Sequence, residues 1–308
     1  MKKKAAIIAV ILVIAVSLVY FLSPGTVVKS AMVLERGSLE QKSVKVDDHQ
    51  VVYLESGKGN KEAILMIHGF SADKDNYTRF SKAFRSNYHL VIPDLPGYGE
   101  STRLAAENYD ILSQVKRLKR FVETIKLSKF HIIGNSMGGH IAGVYAATYP
   151  TDVLSLGLID NAGIPSAEPS EYQKKFKATG KNQLLAHSVD DYDRVLKFVF
   201  VKPPFIPGPV KKYFAERAVK NQAFYQKIYT EALNARPYPL EPLLEDIKAK
   251  TLIIWGDKDR ILDVSAVKVM QNKLPWHKTV IMKDCGHSPM IERPSETAEH
   301  YKRFLDTI

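Results

Sequence analysis

From residue 39 onward, short apolar runs alternate with polar and helical segments along the chain. The runs at 39–46 and 50–55 alternate apolar and polar positions in the manner of half-buried antiparallel strands, with a polar turn between them. Six later runs are mostly apolar and rich in β-branched residues, at 63–67, 89–92, 130–133, 153–159, 251–254 and 279–282. Such runs are typical of strands buried on both faces. The pattern predicts an α/β fold with a mostly parallel sheet of about eight strands and helices on both faces.

The alternation of strands and helices stops between residues 163 and 243. This segment is rich in Lys, Tyr and Phe, has helical patterns, and contains the sequence Lys-Pro-Pro-Phe-Ile-Pro at 202–207, which no regular element tolerates. We interpret it as a helical cap inserted after the sixth strand, over the carboxyl ends of the strands. The predicted organisation is therefore a core at 39–162, a cap at 163–243 and the rest of the core at 244–308.

The N-terminus has a different character. Three lysines at 2–4 precede an uncharged apolar run of 18 residues at 5–22, which as a helix is about 27 Å long. We interpret residues 1–24 as a membrane anchor with a cytoplasmic N-terminus and the remaining chain on the far side, periplasmic in a bacterium. The alternative is a cleaved signal peptide, which would leave a secreted protein.

Composition and charge exclude several classes of protein. The 308 residues are 45% apolar, enough for a sizeable core, and the single Cys285 excludes a disulfide framework. The net charge of +11 lies in mixed segments such as 116–120, typical of a solvated helix face, although a basic surface could also lie against anionic lipid headgroups. No nucleic-acid-binding module accompanies the charge. No metal or cofactor is expected, because no His, Cys or carboxylate cluster has ligand spacing.

A serine at a sharp turn is the strongest chemical signal. The sequence Gly-Asn-Ser-Met-Gly at 134–138 lies between a strand pattern and a helical run of small residues. A Gly-x-Ser-x-Gly turn strains the serine backbone, and the glycines let strand and helix approach closely. Ser136 is therefore the predicted nucleophile.

A serine nucleophile needs a base, and the base needs an orienting acid. His287 follows the last predicted strand and is the only one of nine histidines so placed, which makes it the candidate base. Asp259 follows the strand at 251–254 after a Gly-containing turn and is the preferred acid. Asp160, at the end of the sixth strand, is its competitor. Asp257 is expected to shape the turn.

Acyl transfer also needs hydrogen-bond donors directed at the developing oxyanion, each worth about 3–4 kcal/mol. The backbone N–H of Met137, directly after the serine, is one candidate. The other is the N–H of Phe70 in the loop after the third strand. His68 in the same loop is expected to brace it.

Several motifs together resemble the α/β-hydrolase superfamily. They occur in the expected order at 68–70, 93–101, 134–139, 255–259 and 286–287. Further likeness at 74–76, 155–156, 162–163 and 202–204 makes the chain similar to cold-adapted bacterial lipases and to membrane-anchored monoacylglycerol lipases of animals. The resemblance implies the α/β-hydrolase fold, the triad Ser136, Asp259 and His287, and Phe70 and Met137 as oxyanion donors. Dehalogenases and epoxide hydrolases of this fold carry an aspartate where Ser136 stands.

The predicted activity is hydrolysis of a lipid ester, as by a monoacylglycerol lipase, triacylglycerol lipase or esterase. The cap is apolar enough to receive an acyl chain, through residues 198–200, 205–206, 214 and 224–225. Three alternatives stay open: a C–C bond hydrolase of ring-cleavage products with the same triad, acyl transfer to an acceptor other than water, and a non-catalytic protein that binds a small apolar ligand. The sequence does not indicate an oligomeric state.

Overall fold

The computed structural model describes residues 24–60, 62–235 and 238–308. The apolar run at 5–22, on which the predicted anchor rested, lies outside these residues. Within them no helix is both long and apolar enough to cross a membrane. The first described helix, Pro24–Arg36 (α1), has 13 residues and is about 20 Å long, too short for a hydrocarbon core of about 30 Å. On this finding, the prediction of a single-pass membrane protein anchored by an N-terminal helix is wrong.

The described residues form one sheet of eight strands in the order β1-β2-β4-β3-β5-β6-β7-β8. The strands are Glu40–Val46 (β1), His49–Ser56 (β2), Ala63–Ile67 (β3), His89–Pro93 (β4), Phe130–Asn135 (β5), Val153–Ile159 (β6), Lys250–Gly256 (β7) and His277–Met282 (β8). The β1–β2 and β2–β4 pairs are antiparallel, and the other pairs are parallel. The predicted mostly parallel sheet is confirmed.

Helices cover both faces of this sheet. After α1 they are Thr78–Ser81 (α2), Ile111–Thr124 (α3), Met137–Thr148 (α4), Glu171–Thr179 (α5), Tyr192–Val199 (α6), Gly208–Lys220 (α7), Gln222–Tyr229 (α8), Ala266–Lys273 (α9), Pro289–Glu292 (α10) and Pro294–Leu305 (α11). In β3 the alternate residues Leu65 and Ile67 pack with α3 and α4, whereas Ile64 and Met66 pack with α2 and α11. All five residues of β3 are buried, which explains why the strand is apolar throughout.

Between β6 and β7 the chain forms the helices α5 to α8, a π-helical turn at Thr230–Ala235 and a 3₁₀ helix at Glu241–Asp246. The proline-rich sequence at 202–207 lies between α6 and α7 without regular structure. This is the segment that the sequence predicts as a cap, and we call it the cap below. Its exact domain boundaries stay predictions.

Helix α1 is fixed to both parts of the protein. The Arg36 guanidinium donates two hydrogen bonds to the Asp75 carboxylate of the core, at 2.6 and 2.7 Å. At the other end of the helix, Gly25 lies against the ring of Tyr213 in α7. Between these ends, Val28 is buried. The helix therefore packs across the junction between the core and the cap.

Candidate active site

Ser136 lies at a strained turn between β5 and α4, with φ 57° and ψ −122°. A Cβ atom at Gly134 would lie 2.3 Å from the carbonyl oxygen of Gly138, and one at Gly138 would lie 2.3 Å from that of His68. Only glycine fits at these two positions, because strand, helix and the neighbouring loop approach so closely. We call residues 134–138 the nucleophile turn. The N–H of Ser136 donates to the carbonyl of Ile159, and the carbonyl of Ser136 accepts the N–H of Ala162, at 3.0 Å each. These two hydrogen bonds hold the turn against the end of β6.

The sheet brings the predicted acid and the predicted base to the same edge as this serine. His287 Nδ1 donates to Asp259 Oδ2 at 2.7 Å. The other oxygen, Asp259 Oδ1, accepts the backbone N–H groups of Ile261 and Leu262 at 2.7 and 3.1 Å. Three donors thus fix the Asp259 carboxylate, and the carboxylate fixes the imidazole with Nε2 left unprotonated.

Ser136 and His287 line one cavity. Among the hydrogen bonds of the described residues, none joins the Ser136 hydroxyl to the imidazole, a bond that often forms only when substrate is bound. The loop of His287 is nevertheless tied to the nucleophile turn, because Asn135 Nδ2 donates to the carbonyl of His287 at 2.9 Å.

The structure brings the competing acid to the same place. Asp160 is fully buried directly after β6, and its Oδ1 accepts the N–H of Gly256 at 3.0 Å. The other two aspartates of this region serve turns: Asp257 accepts the N–H of Cys285 at 3.4 Å, and Asp263 accepts that of Ser265 at 2.9 Å. Asp259 is the carboxylate that contacts the imidazole.

The loop after β3 approaches the nucleophile turn, and we call residues 68–73 the oxyanion loop. A Cβ atom on Gly69 would lie 3.2 Å from Ser136 Cβ, so the N–H of Phe70 is close to the serine. Buried His68 braces this loop: Nδ1 donates to Gly69 O at 2.8 Å, and Nε2 accepts the N–H of Leu95 at 3.0 Å. Burial lowers the pKa of His68 to about 4, so its imidazole is neutral at physiological pH.

A cavity of about 500 Å³ extends from Ser136 and His287 between the core, the cap and α1. Of the eight apolar cap residues predicted to receive an acyl chain, Val199, Phe200, Phe205, Ile206, Phe214 and Tyr225 line it. The other two belong to the packing of the cap itself: Phe198 contacts Tyr172 and Tyr229, and Phe224 lies against Tyr109. The wall of the cavity is therefore mainly apolar.

Sequence reasoning missed two features of this site. The first is α1, which supplies Val28, Ala31 and Met32 to the cavity. Their spacing of three and four positions is the signal of one helix face and was readable in the sequence. The second is an ion pair between Asp73 of the oxyanion loop and Arg217 of α7, residues 144 positions apart, for which no local pattern exists.

One set of side chains in the described part of the chain has the arrangement of a possible cation site. Ligand-capable atoms of Asp160, Asp259 and His287 lie within 4.8 Å of one another. Two of these three residues are already hydrogen-bonded to each other through Nδ1 and Oδ2. The sequence-based expectation of no metal stays a prediction.

Comparison with known proteins agrees with this geometry. Residues 62–294 match the family described as alpha/beta hydrolase fold. Lipase 1 of Psychrobacter immobilis is 38% identical over 276 residues, which cover 89% of this chain and 86% of that protein. Monoacylglycerol lipase ABHD6 of Mus musculus is 36% identical, covering 85% of this chain and 81% of that protein. A solved membrane phospholipase A superposes with a TM-score of 0.91 at 45% identity, over 100% of this chain and 99% of that one.

Proposed function

This chain belongs to the α/β-hydrolase fold family, and from that premise we propose that it hydrolyses lipid esters through a triad of Ser136, His287 and Asp259. The observation that carries the proposal is the Asp259–His287 hydrogen bond, which faces a serine at a strained strand-to-helix turn on one wall of an apolar cavity. A buried, oriented imidazole that lines the same cavity as a serine is the arrangement that activates a hydroxyl nucleophile.

The reaction takes two steps. In the first, His287 Nε2 accepts the proton of Ser136 Oγ as the oxygen bonds to the acyl carbon, and then gives that proton to the departing alcohol. In the second, water loses a proton to the same nitrogen as its oxygen bonds to the acyl carbon. The imidazolium then returns that proton to Ser136 Oγ as the bond between this oxygen and the acyl carbon breaks, which releases the fatty acid and restores Ser136. Asp259 stays ionised throughout and stabilises the imidazolium that forms in each step.

The backbone N–H groups of Phe70 and Met137 are the proposed oxyanion donors. Met137 is the first residue of α4, so its N–H belongs to the positive end of a helix of 12 residues. Phe70 is held by the braced oxyanion loop beside Ser136. Such fixed donors need no reorganisation as negative charge develops, and each is worth about 3 kcal/mol.

The substrate proposal rests on the cavity and on the relatives. The cavity is lined mainly by apolar side chains of the cap and α1, which favours a hydrocarbon chain over a polar acyl group. Relatives that share most of this chain's length are named lipase, monoacylglycerol lipase and phospholipase A. A monoacylglycerol is our first choice of substrate. We propose that residues 163–243 form a cap over the core at 39–162 and 244–308, and that this cap determines which ester binds.

The alternatives are less well supported. A C–C bond hydrolase would bind a charged ring-cleavage product, for which the apolar cavity wall is a poor match. A protein that only binds an apolar ligand has no need of a strained backbone at Ser136, because such strain costs stability without a catalytic return.

The test compares the wild type with Ser136→Ala and with the matched control Ser43→Ala, an exposed serine on β1. We expect a fluorophosphonate probe to label the wild type and Ser43→Ala only, and turnover of p-nitrophenyl esters to fall by about 10⁴-fold or more in Ser136→Ala. Labelling or turnover that survives in Ser136→Ala would contradict the triad.

The substrate class is tested by fatty-acid release from monoacylglycerol, triacylglycerol and phospholipid, and by p-nitrophenyl esters of rising chain length. We expect long-chain esters to be preferred over acetate, and monoacylglycerol to be cleaved fastest. Preference for acetate across the series would contradict the acyl role of the cavity, even if the triad is correct.

A further inference from the structure

Asp160 is a buried carboxylate for which the two-step reaction has no use. It directly follows β6, and its φ of 41° is uncommon for any residue other than glycine. The backbone there is held by a hydrogen bond from the Asp160 N–H to Ile254 O at 2.9 Å. This bond fixes the residue between the ends of β6 and β7, beside the turn that carries Asp259.

The two oxygens of Asp160 differ in their partners. Oδ1 accepts the N–H of Gly256 at 3.0 Å. Oδ2 is buried, and no hydrogen-bond donor reaches it in the described part of the chain. An ionised carboxylate in that position would leave one oxygen without a donor, which is costly in a buried site. A protonated carboxyl group would instead need an acceptor near Oδ2.

Asp259 offers that acceptor. A carboxylate oxygen of Asp160, one of Asp259 and a ring nitrogen of His287 all lie within 4.8 Å of one another. Asp259 already receives three N–H donors, from Ile261, Leu262 and His287, and these stabilise its ionised form. Asp160 receives one. When two adjacent buried carboxyl groups hold a single proton, the proton resides on the group with fewer donors.

The surrounding charges act in the same direction. Burial, followed by the negative charge of Asp259, raises the pKa of Asp160 well above its usual range, and Glu292 contributes in the same sense. The nearby Cys285 thiol is neutral, since burial, followed by the negative charge of Glu292, raises its pKa to about 12. Among the residues that the structure describes, the titratable groups near Asp160 are Asp259, His287, Glu292 and Cys285, and of these four only His287 can become positive.

We propose that Asp160 is a neutral carboxylic acid whose O–H donates a hydrogen bond to Asp259, which makes it a positioning residue for the catalytic acid. This inference rests on the proposed function of the triad. The fourth donor limits rotation of the Asp259 carboxylate and keeps Oδ2 directed at His287. No proton leaves Asp160 during turnover.

A bound cation would be the other way to reconcile these two carboxylates, because the same three side chains could ligate one. The two arrangements differ in what removes activity. A cation is extracted by a chelator, whereas a proton held between buried carboxyl groups is not.

The test uses Asp160→Asn and Asp160→Leu in the full chain. The Asn amide can donate to Asp259 and accept from Gly256, whereas Leu has a similar size and can do neither. We expect kcat/KM of Asp160→Asn to stay within about threefold of the wild type, and that of Asp160→Leu to fall about 10- to 100-fold through loss of a hydrogen bond to a charged group. Melting temperatures of both variants separate this effect from loss of folded protein.

The pH profile gives the second readout. Asp160→Asn replaces one neutral group by another. We therefore expect the midpoint of the acid limb of its kcat/KM profile to stay within about 0.3 pH unit of the wild-type midpoint. In Asp160→Leu the limb moves to higher pH, because an Asp259 carboxylate with one donor fewer stabilises the imidazolium more strongly. Were Asp160 ionised, Asp160→Asn would remove a negative charge near His287 and shift the limb about one unit or more to lower pH, which would overturn the proposal.

Infrared difference spectroscopy reads the proton directly and does not depend on turnover. At about pH 8, where ordinary carboxyl groups are ionised, the wild type minus Asp160→Asn spectrum is expected to show the C=O band of a protonated carboxyl group. The proposal is contradicted if that band is absent or if a chelator inactivates the enzyme. It is also contradicted if Asp160→Asn and Asp160→Leu lose activity equally, or if both keep wild-type activity. Failure of the triad itself is recognised separately, by fluorophosphonate labelling that persists in Ser136→Ala.

Discussion

The ion pair between Asp73 and Arg217 joins the oxyanion loop to the cap, and its removal is a direct test of how the two parts are held together. Asp73 is 4% exposed, and its Oδ1 also accepts the N–H of Asp75 at 3.0 Å. Burial alone would raise the pKa of Asp73, but the positive charges of Arg217 and Lys74 outweigh it and lower the pKa to about 2. Arg217→Leu removes one of these charges and leaves the carboxylate buried.

The structure sets the size of the effect. A pKa of about 2 instead of the ordinary 3.8 corresponds to a stabilisation of the native state on the order of 2 kcal/mol. Breaking a buried pair by removing one partner costs about 3–5 kcal/mol. Because Lys74 still stabilises Asp73, we expect Arg217→Leu to lower the free energy of unfolding by about 2–4 kcal/mol. For a chain of this length, that is a fall in Tm of about 3–6 °C.

The sign of the pH dependence follows from the lowered pKa. The contribution of Asp73 is fully present above the unfolded-state pKa of about 4 and is lost as the pH falls towards about 2. The difference in Tm between wild type and Arg217→Leu is therefore largest near neutral pH and narrows below about pH 4.

The assay is thermal unfolding of wild type, Arg217→Leu, Asp73→Asn and the double variant, at about pH 7 and about pH 3. Arg217→Lys is the control that keeps the charge. We expect a coupling energy of about 1.5 kcal/mol or more between the two residues at neutral pH. A Tm of Arg217→Leu within about 1 °C of the wild type, or strictly additive effects in the double variant, would refute the role of this ion pair.

Three further predictions concern the cavity, the nucleophile turn and the acid. Met32→Trp narrows the cavity from α1, so the chain-length panel should shift to shorter esters, whereas Val33→Trp, exposed on the same helix, should leave the preference unchanged. Gly134→Ala places a methyl group 2.3 Å from a backbone oxygen and should lower the unfolding free energy by about 4 kcal/mol or more, unlike Gly208→Ala in open space, as measured by urea denaturation. Asp259→Asn should reduce kcat by about 10⁴-fold with little change in Tm, and near-wild-type kcat would exclude Asp259 as the acid.

The sheet was predictable because its strands carry their own signal. Ile64 and Leu65 face opposite layers of helices, and both layers are apolar, so β3 had to be apolar at every position. The nucleophile turn was predictable for a steric reason, since its glycines at 134 and 138 are the only residues that fit. The strand signal is carried by each strand's own residues, and the constraint on Gly134 comes from Gly138, four positions away. The constraint on Gly138 comes from the carbonyl of His68 in the oxyanion loop.

The rest of the site depends on contacts that no local pattern encodes. Asp160 and Asp259 each follow a buried parallel strand, and sequence alone could only rank them as alternatives for one role. Because β6 and β7 are neighbours in the sheet, the structure brings both carboxylates to the same imidazole, and the choice becomes a question of protonation. The pairing of Asp73 with Arg217 is likewise set by tertiary packing. The apolar face of α1 has a local pattern, but its position against the cavity is set by tertiary packing.

The contacts around His287 connect the choice of substrate to the chemistry. The N–H of His287 donates to the carbonyl of Val199, the last residue of α6, at 2.9 Å. The carboxylate of Glu292 accepts the N–H groups of Gly286 at 3.1 Å and of Val201 and Lys202, in the cap, at 3.2 and 2.9 Å. The Glu292 carboxylate and the Val199 carbonyl thus join the loop of Gly286 and His287 to the cap segment at 199–202, from which Val199 and Phe200 line the cavity. We therefore expect a displacement of this cap segment to displace His287 as well, whereas a substitution in α1 changes a wall of the cavity that these hydrogen bonds do not join to His287.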